Sequence, residues 1–149
     1  DPRYIAQAIQ LEIEKLKPEI IITYAVHGIS GFHDHLVCHA VVKRLYLDMK
    51  DAGANYLKRL AFFTVPDGGG PTFSAGGMRL KHSAEKNIDC IVKCSADNRE
   101  MMNKALDCYV TYQDTIAASG VRQSVGNTIY FEIFGEDHKP TLKELTDKI

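Results

Sequence analysis

The run Glu19-Ile-Ile-Ile-Thr-Tyr-Ala-Val26 is the strongest constraint on how this chain can fold. β-Branched and aromatic side chains pack well on a pleated surface and lose rotamer freedom in a helix, so the run reads as a strand. It does not alternate apolar with polar residues. That predicts a central strand covered on both faces, as in a parallel sheet between helical layers. Gly28-Ile-Ser-Gly31 then breaks the strand, and Asp34 or a near neighbour can cap a helix with Val37, Val41, Leu45 and Met49 on one stripe, stopped by Gly53. Upstream, Ile5, Ile9, Ile13 and Leu16 share one helical face and Pro18 discourages continuation, which predicts a helix from about Pro2 to Leu16.

The remainder repeats the same vocabulary. Leu57 to Val65, Ile88 to Cys94 and Thr128 to Phe134 read as strands; Ser95 or Asp97 can cap a helix running to about Thr115; Pro140-Thr-Leu-Lys-Glu-Leu suggests a short terminal helix. Strands alternating with helices argue for an α/β architecture. The strand from Glu19 to Val26 is expected to run parallel to Leu57–Val65.

With 18 basic and 19 acidic residues the net charge is −1, so no strong field draws the chain to nucleic acid or anionic membrane. No apolar stretch approaches the ~20 residues that span a bilayer. Apolar residues at 45% and charged ones at 25% describe one soluble domain with a sizeable core. Cys38, Cys90, Cys94 and Cys108 form no C-x-x-C pair and are expected as buried free thiols, which suits a reducing, cytoplasmic compartment. The first residue is Asp1, not Met, and no leader pattern opens the chain, so an upstream segment is expected.

The densest polar cluster is Gly28-Ile-Ser-Gly-Phe-His33-Asp34-His35, between the C-terminal end of the first predicted strand and the next helix. Ligands of open α/β sheets bind at that edge. Two imidazoles and a carboxylate can supply a metal ligand, a general acid and an orienting group. The plain alternative is a pair of exposed loop histidines with Asp34 as a helix cap.

The strand Ile20-Ile-Ile-Thr-Tyr followed by Gly28-Ile-Ser-Gly-Phe-His-Asp-His35-Leu resembles the second metal-site segment of the PIG-L/LmbE-like family, zinc-dependent N-acetylglucosaminyl deacetylases whose loop reads H-P-D-H or H-H-D-H. Further similarities follow in order: Leu57-Lys-Arg-Leu-Ala-Phe-Phe to the next strand, Lys104-Ala-Leu-Asp-Cys-Tyr with Gln113 to a later helix, and Tyr130-Phe-Glu-Ile-Phe to the closing E-x-F region. The resemblance covers most of residues 8 to 134. It implies a Rossmann-like three-layer sandwich with a mostly parallel sheet, of which residues 1–149 would be the later part.

Carried over residue by residue, the resemblance makes His35 a zinc ligand and Asp34 the aspartate that supports the neighbouring histidine. The family's first histidine falls on Phe32, and His33 takes the intervening position. Phenylalanine can neither donate a proton nor bind an oxyanion, so His33 would have to substitute from one residue away. The family's H-P-D-D-E-type motif, which supplies a histidine and an aspartate to zinc and a general base, has no counterpart here. His82-Ser-Ala-Glu85 has a similar histidine-to-acid spacing but lacks the intervening carboxylate and reads as a solvated turn. A catalytic zinc needs about three protein ligands. One is identified, which places the others in an upstream part of the domain.

His39 lies one helical turn beyond His35 and can either pair with it as a chelate or pack and hydrogen-bond in the interior. His27 can line a pocket. Asp67 to Gly77 lacks the G-K-[ST] of a phosphate loop and is either a loop over a sugar pocket or a plain connection. The implied function is removal of acetate from an N-acetyl sugar or glycoconjugate, zinc polarising the amide and a histidine of this loop assisting departure of the amine. The rival is a non-catalytic relative serving as a binding or oligomeric component. Tyr46, Leu47 and Met49 can form a homo-oligomer interface or pack within the domain.

Overall fold

In a computed structural model the residues described are 1–68, 79–119, 121–124 and 126–149. Helix α1 spans Pro2–Leu16, with Pro2 in its first turn and the Asp1 carboxylate accepting the Arg3 N–H at 2.9 Å. It ends where Lys17 enters the left-handed region (φ 47°) and its N–H donates to the Ile13 carbonyl. Strand β1 (Ile20–Tyr24) and helix α2 (His33–Asp51) follow, then strand β2 (Arg59–Thr64). After β3 (Cys90–Lys93) comes α3 (Ala96–Asp107), which opens on a reciprocal capping box between Ser95 and Asn98. Two short helices, α4 (Gln113–Ser119) and α5 (Val121–Ser124), lead to β4 (Thr128–Ile133).

The sheet has the order β1-β2-β4-β3. β1 runs parallel to β2, with Ile21 beside Leu60 and Thr23 beside Phe62, as the sequence predicts. Both pairs made by β4 are antiparallel, so the sheet is mixed, and the expectation of a mostly parallel sheet is corrected. β1 is also an edge strand among the described residues, not a central one. Its burial alternates: Ile21 and Thr23 face inward, while Ile22 is 55% exposed. The sequence lacks that alternation because isoleucine occupies both faces of a strand only one of whose faces is packed.

That packed face meets α1 and α2. Ile13, Ile21, Ala25, Leu45, Met49, Leu57, Leu60 and Phe62 belong to one cluster, and each large aliphatic side chain so buried contributes about 1.5–3 kcal/mol. Tyr46 and Met49 are part of this interior, so of the three residues for which interface and in-domain packing stood as alternatives these two pack within the domain, and Leu47 is exposed. On the opposite face Ala61, Cys90, Phe131 and Ile133 cluster with Leu142. Leu142 comes from a segment of turns that bridges to Cys90, where a terminal helix was expected from Pro140. The described residues thus support an α/β fold with a helical layer of α1 and α2. Cys90 is buried, whereas Cys108 is exposed, against expectation.

Arg59 fastens the C-terminal segment to the sheet. Only 1% exposed, it donates from Nε and Nη2 to the Glu136 carboxylate at 2.9 and 2.8 Å, and from Nη1 to the carbonyls of Leu145 and Asp147. A guanidinium buried so deeply is tolerable because its charge and its donors are matched. No described helix is long and apolar enough to cross a membrane.

Candidate functional site

The loop leaving β1 is tightly folded. The Ala25 N–H makes a last bond to the Phe63 carbonyl, and the Gly28 N–H turns back to the Ala25 carbonyl at 2.8 Å. Gly28 (φ 62°), Ile29 (φ 58°) and Gly31 (φ 71°) all lie in the left-handed region. For β-branched Ile29 that conformation costs about 1–3 kcal/mol, and it persists because its backbone is held at both ends. Its N–H donates to His27 Nδ1 at 3.1 Å, and its carbonyl accepts the Lys81 N–H at 2.7 Å. Gly28 has a second constraint: a Cβ there would stand 3.0 Å from His35 Cβ.

His35, half-buried in the first turn of α2, is the best-defined imidazole of this region. Its Nδ1 lies 2.9 Å from the Gly28 carbonyl and 3.0 Å from Ser30 Oγ. A carbonyl only accepts, so Nδ1 carries the proton and Nε2 keeps its lone pair. The ring lies flat on Tyr24, centroids 3.9 Å apart, and stands perpendicular to the Phe32 ring with centroids 5.6 Å apart. A ring fixed in tautomer and plane, with one nitrogen available as an electron-pair donor, suits a metal ligand or a general base.

His33 and Asp34 occupy the same turn but are exposed, and neither side chain makes a hydrogen bond or ion pair with the described residues. Asp34 lies at the positive end of the helix dipole, where a carboxylate is favoured, although the helix has no side-chain cap. Its charge reaches Tyr24, whose hydroxyl is pushed up first by burial and then by Asp34. The support of His35 therefore comes from Gly28, Ser30 and Tyr24. Sequence reasoning placed these three in the strand and loop without giving them a part; the periodicity of a strand end does not disclose which ring meets which.

His39 takes the interior role. It is buried, with Nδ1 2.8 Å from the Tyr24 carbonyl and its ring tilted against Phe62. His27 sits in a separate chain of contacts: Nε2 is 3.1 Å from Ser83 Oγ, which is 2.5 Å from Thr64 Oγ1. The pair looks like a nucleophile and its base. The proton count excludes that arrangement for the neutral ring, because Nδ1 already accepts from Ile29 and Nε2 must be the donor. His82 is half-buried and Glu85 exposed at the start of a short 3₁₀ turn. Most of the loop from Asp67 to Gly77 lies outside the described residues.

Zinc requires about three converging protein ligands. Among the described residues no group of three or more His, Cys, Asp or Glu side chains converges in that way, so these residues do not by themselves fit a zinc centre. What they do form is one oriented imidazole, that of His35, in the first turn of α2 beyond the C-terminal end of β1. No family model matches the chain, and no curated protein is matched by it either.

Proposed function

We propose that this chain is the later part of a PIG-L/LmbE-like deacetylase domain that removes acetate from an N-acetylglucosamine-type sugar or glycoconjugate, with His35 supplying one ligand of a zinc centre. The single observation that carries the reading is the state of His35: Nδ1 held by a backbone carbonyl and Nε2 left with its lone pair. Histidines that bind metals are oriented in this manner by a partner on the second nitrogen. In this reading the remaining ligands and the general base belong to residues outside those described. His33, exposed one turn-position away, would protonate the leaving amine, and Asp34 would hold a negative charge beside it.

The test is stoichiometric metal analysis of the full-length protein. His35→Ala should abolish bound zinc, while His39→Ala, which loses an interior contact, should lower stability and leave zinc content unchanged in the folded fraction. Unaltered zinc in His35→Ala would overturn the assignment.

A second reading has one observation in its favour. Phe32, 51% exposed, stands where the resembled motif has its first histidine, and its ring lies perpendicular to that of His35. A non-catalytic binding relative would tolerate that exchange. Zinc bound without turnover on any N-acetyl sugar would favour it.

A further inference from the structure

We infer that His27 is a proton-operated latch on the loop between β1 and α2. With its proton on Nε2 the neutral ring bridges two segments, accepting the Ile29 N–H on Nδ1 and donating to Ser83 Oγ, each at 3.1 Å. Beside it, the Lys81 N–H donates to the Ile29 carbonyl at 2.7 Å, so the loop is clasped to residues 81–83 by two adjacent links. Protonation at Nδ1 converts the acceptor into a donor. Two N–H groups then face each other, and the Ile29 link cannot persist.

The loop is built to need such a clasp. Gly28 and Ile29 are successive left-handed residues, and the second is β-branched, so the native path is unfavourable once its backbone partners are withdrawn. The groups around the ring come from three directions: Glu132 on β4, His82 and Lys81 on the neighbouring segment, and His39 on α2. Burial holds the His27 pKa below its ordinary value; Glu132 opposes this, and His82, His39 and Lys81 reinforce it. The closed latch is therefore the state of neutral pH, and acid opens it.

Opening has a destination. The carbonyl of Gly28, next in the chain, is the acceptor for His35 Nδ1, so releasing the loop withdraws one of the three supports of the His35 ring, the one that sets its tautomer. Proton binding at one histidine thereby acts on the hydrogen bond that sets the tautomer of another. The inference concerns the loop itself and is independent of whether His35 binds zinc.

The experiment is an NMR titration of the full-length protein without added metal, reading imidazole tautomers from long-range ¹H–¹⁵N correlations and amide protection from exchange rates corrected for pH. At neutral pH His27 should show the Nε2–H tautomer, with the Ile29 and Lys81 amides protected. As His27 protonates, protection at both amides should be lost while that of Ala25, bonded to β2, is retained. An Nδ1–H tautomer at neutral pH, or protection unchanged through the His27 titration, would overturn the proposal. His27→Gln offers an acceptor and a donor that do not titrate and should keep the loop protected in acid. Loss of protection in that variant with the wild-type pH profile would also overturn it.

Discussion

The imidazole of His35 lies parallel to the phenol ring of Tyr24, centroids 3.9 Å apart and planes within 9°. The stack joins the last residue of β1 to the first turn of α2 and fixes the plane of a ring whose tautomer is already set by Gly28.

Replacing Tyr24 with Leu should therefore cost about 0.5–1.5 kcal/mol of stability, the worth of an aromatic pair beyond its buried area, and should let the His35 ring rotate. Tyr24→Phe should retain both. Urea denaturation measures the first effect, and protection of the His35 Nδ1 proton from solvent exchange, which depends on the ring staying on the Gly28 carbonyl, reads the second. Protection unchanged in the Leu variant would show that the stack has no part in holding the ring.

Gly28→Ala is expected to destabilise the chain by about 1–3 kcal/mol, since alanine resists the left-handed backbone that Gly28 adopts. The added methyl also meets His35 at 3.0 Å, so the imidazole should be displaced as well. Gly31→Ala has open space around the new carbon and should show the backbone cost alone. A comparison of His35 shifts in the two variants separates the effects.

Glu136 should govern the acid limb of stability. Its hydrogen bond from Arg59 holds its carboxyl below the ordinary value, burial opposes this, and His138 adds to the lowering. A carboxylate with a lowered folded-state pKa contributes stability that is complete above the unfolded value of about 4.3 and is lost as pH falls through the folded one. Glu136→Gln should flatten that limb. At neutral pH it should cost less than the about 3–5 kcal/mol of a fully buried broken pair, because Glu136 is 27% exposed. Urea melts from neutral to acidic pH measure both.

Residues 1–149 alone should not hydrolyse an N-acetyl sugar. One oriented imidazole does not assemble a metal centre, and a missing positioned base costs a further ~10²–10⁴ in rate. Zinc-dependent release of acetate by this chain on its own would show that other residues form the site.

Much of the architecture was legible because it rests on local chemistry. α1 is readable from its isoleucine spacing and Pro18, and the parallel pairing of β1 with β2 from two apolar runs separated by an amphipathic helix. The direction of β4 was not, since antiparallel and parallel strands share one composition. Nor was the edge position of β1: three isoleucines describe a strand's propensity and say nothing of how many neighbours it has. At the site, the position of His35 was readable and its shell was not. The ring's partners are a carbonyl, a hydroxyl and a stacked phenol brought together by a turn through left-handed backbone, and Ile29 is a residue that propensity would place elsewhere.

The anchoring of Arg59 also sets an order on biosynthesis. Its partners Glu136, Leu145 and Asp147 lie 77, 86 and 88 residues further along the chain. A ribosome delivers the amino-terminal part first, so β1, α2 and β2 emerge while the guanidinium in β2 has none of its native acceptors. That charge resists burial on its own and keeps the opposite face of the nascent sheet open to water. Closure of that face therefore waits for residues 136 to 147, and a chain released before Glu136 has been made would be left with a cation where the folded protein has a buried, matched pair.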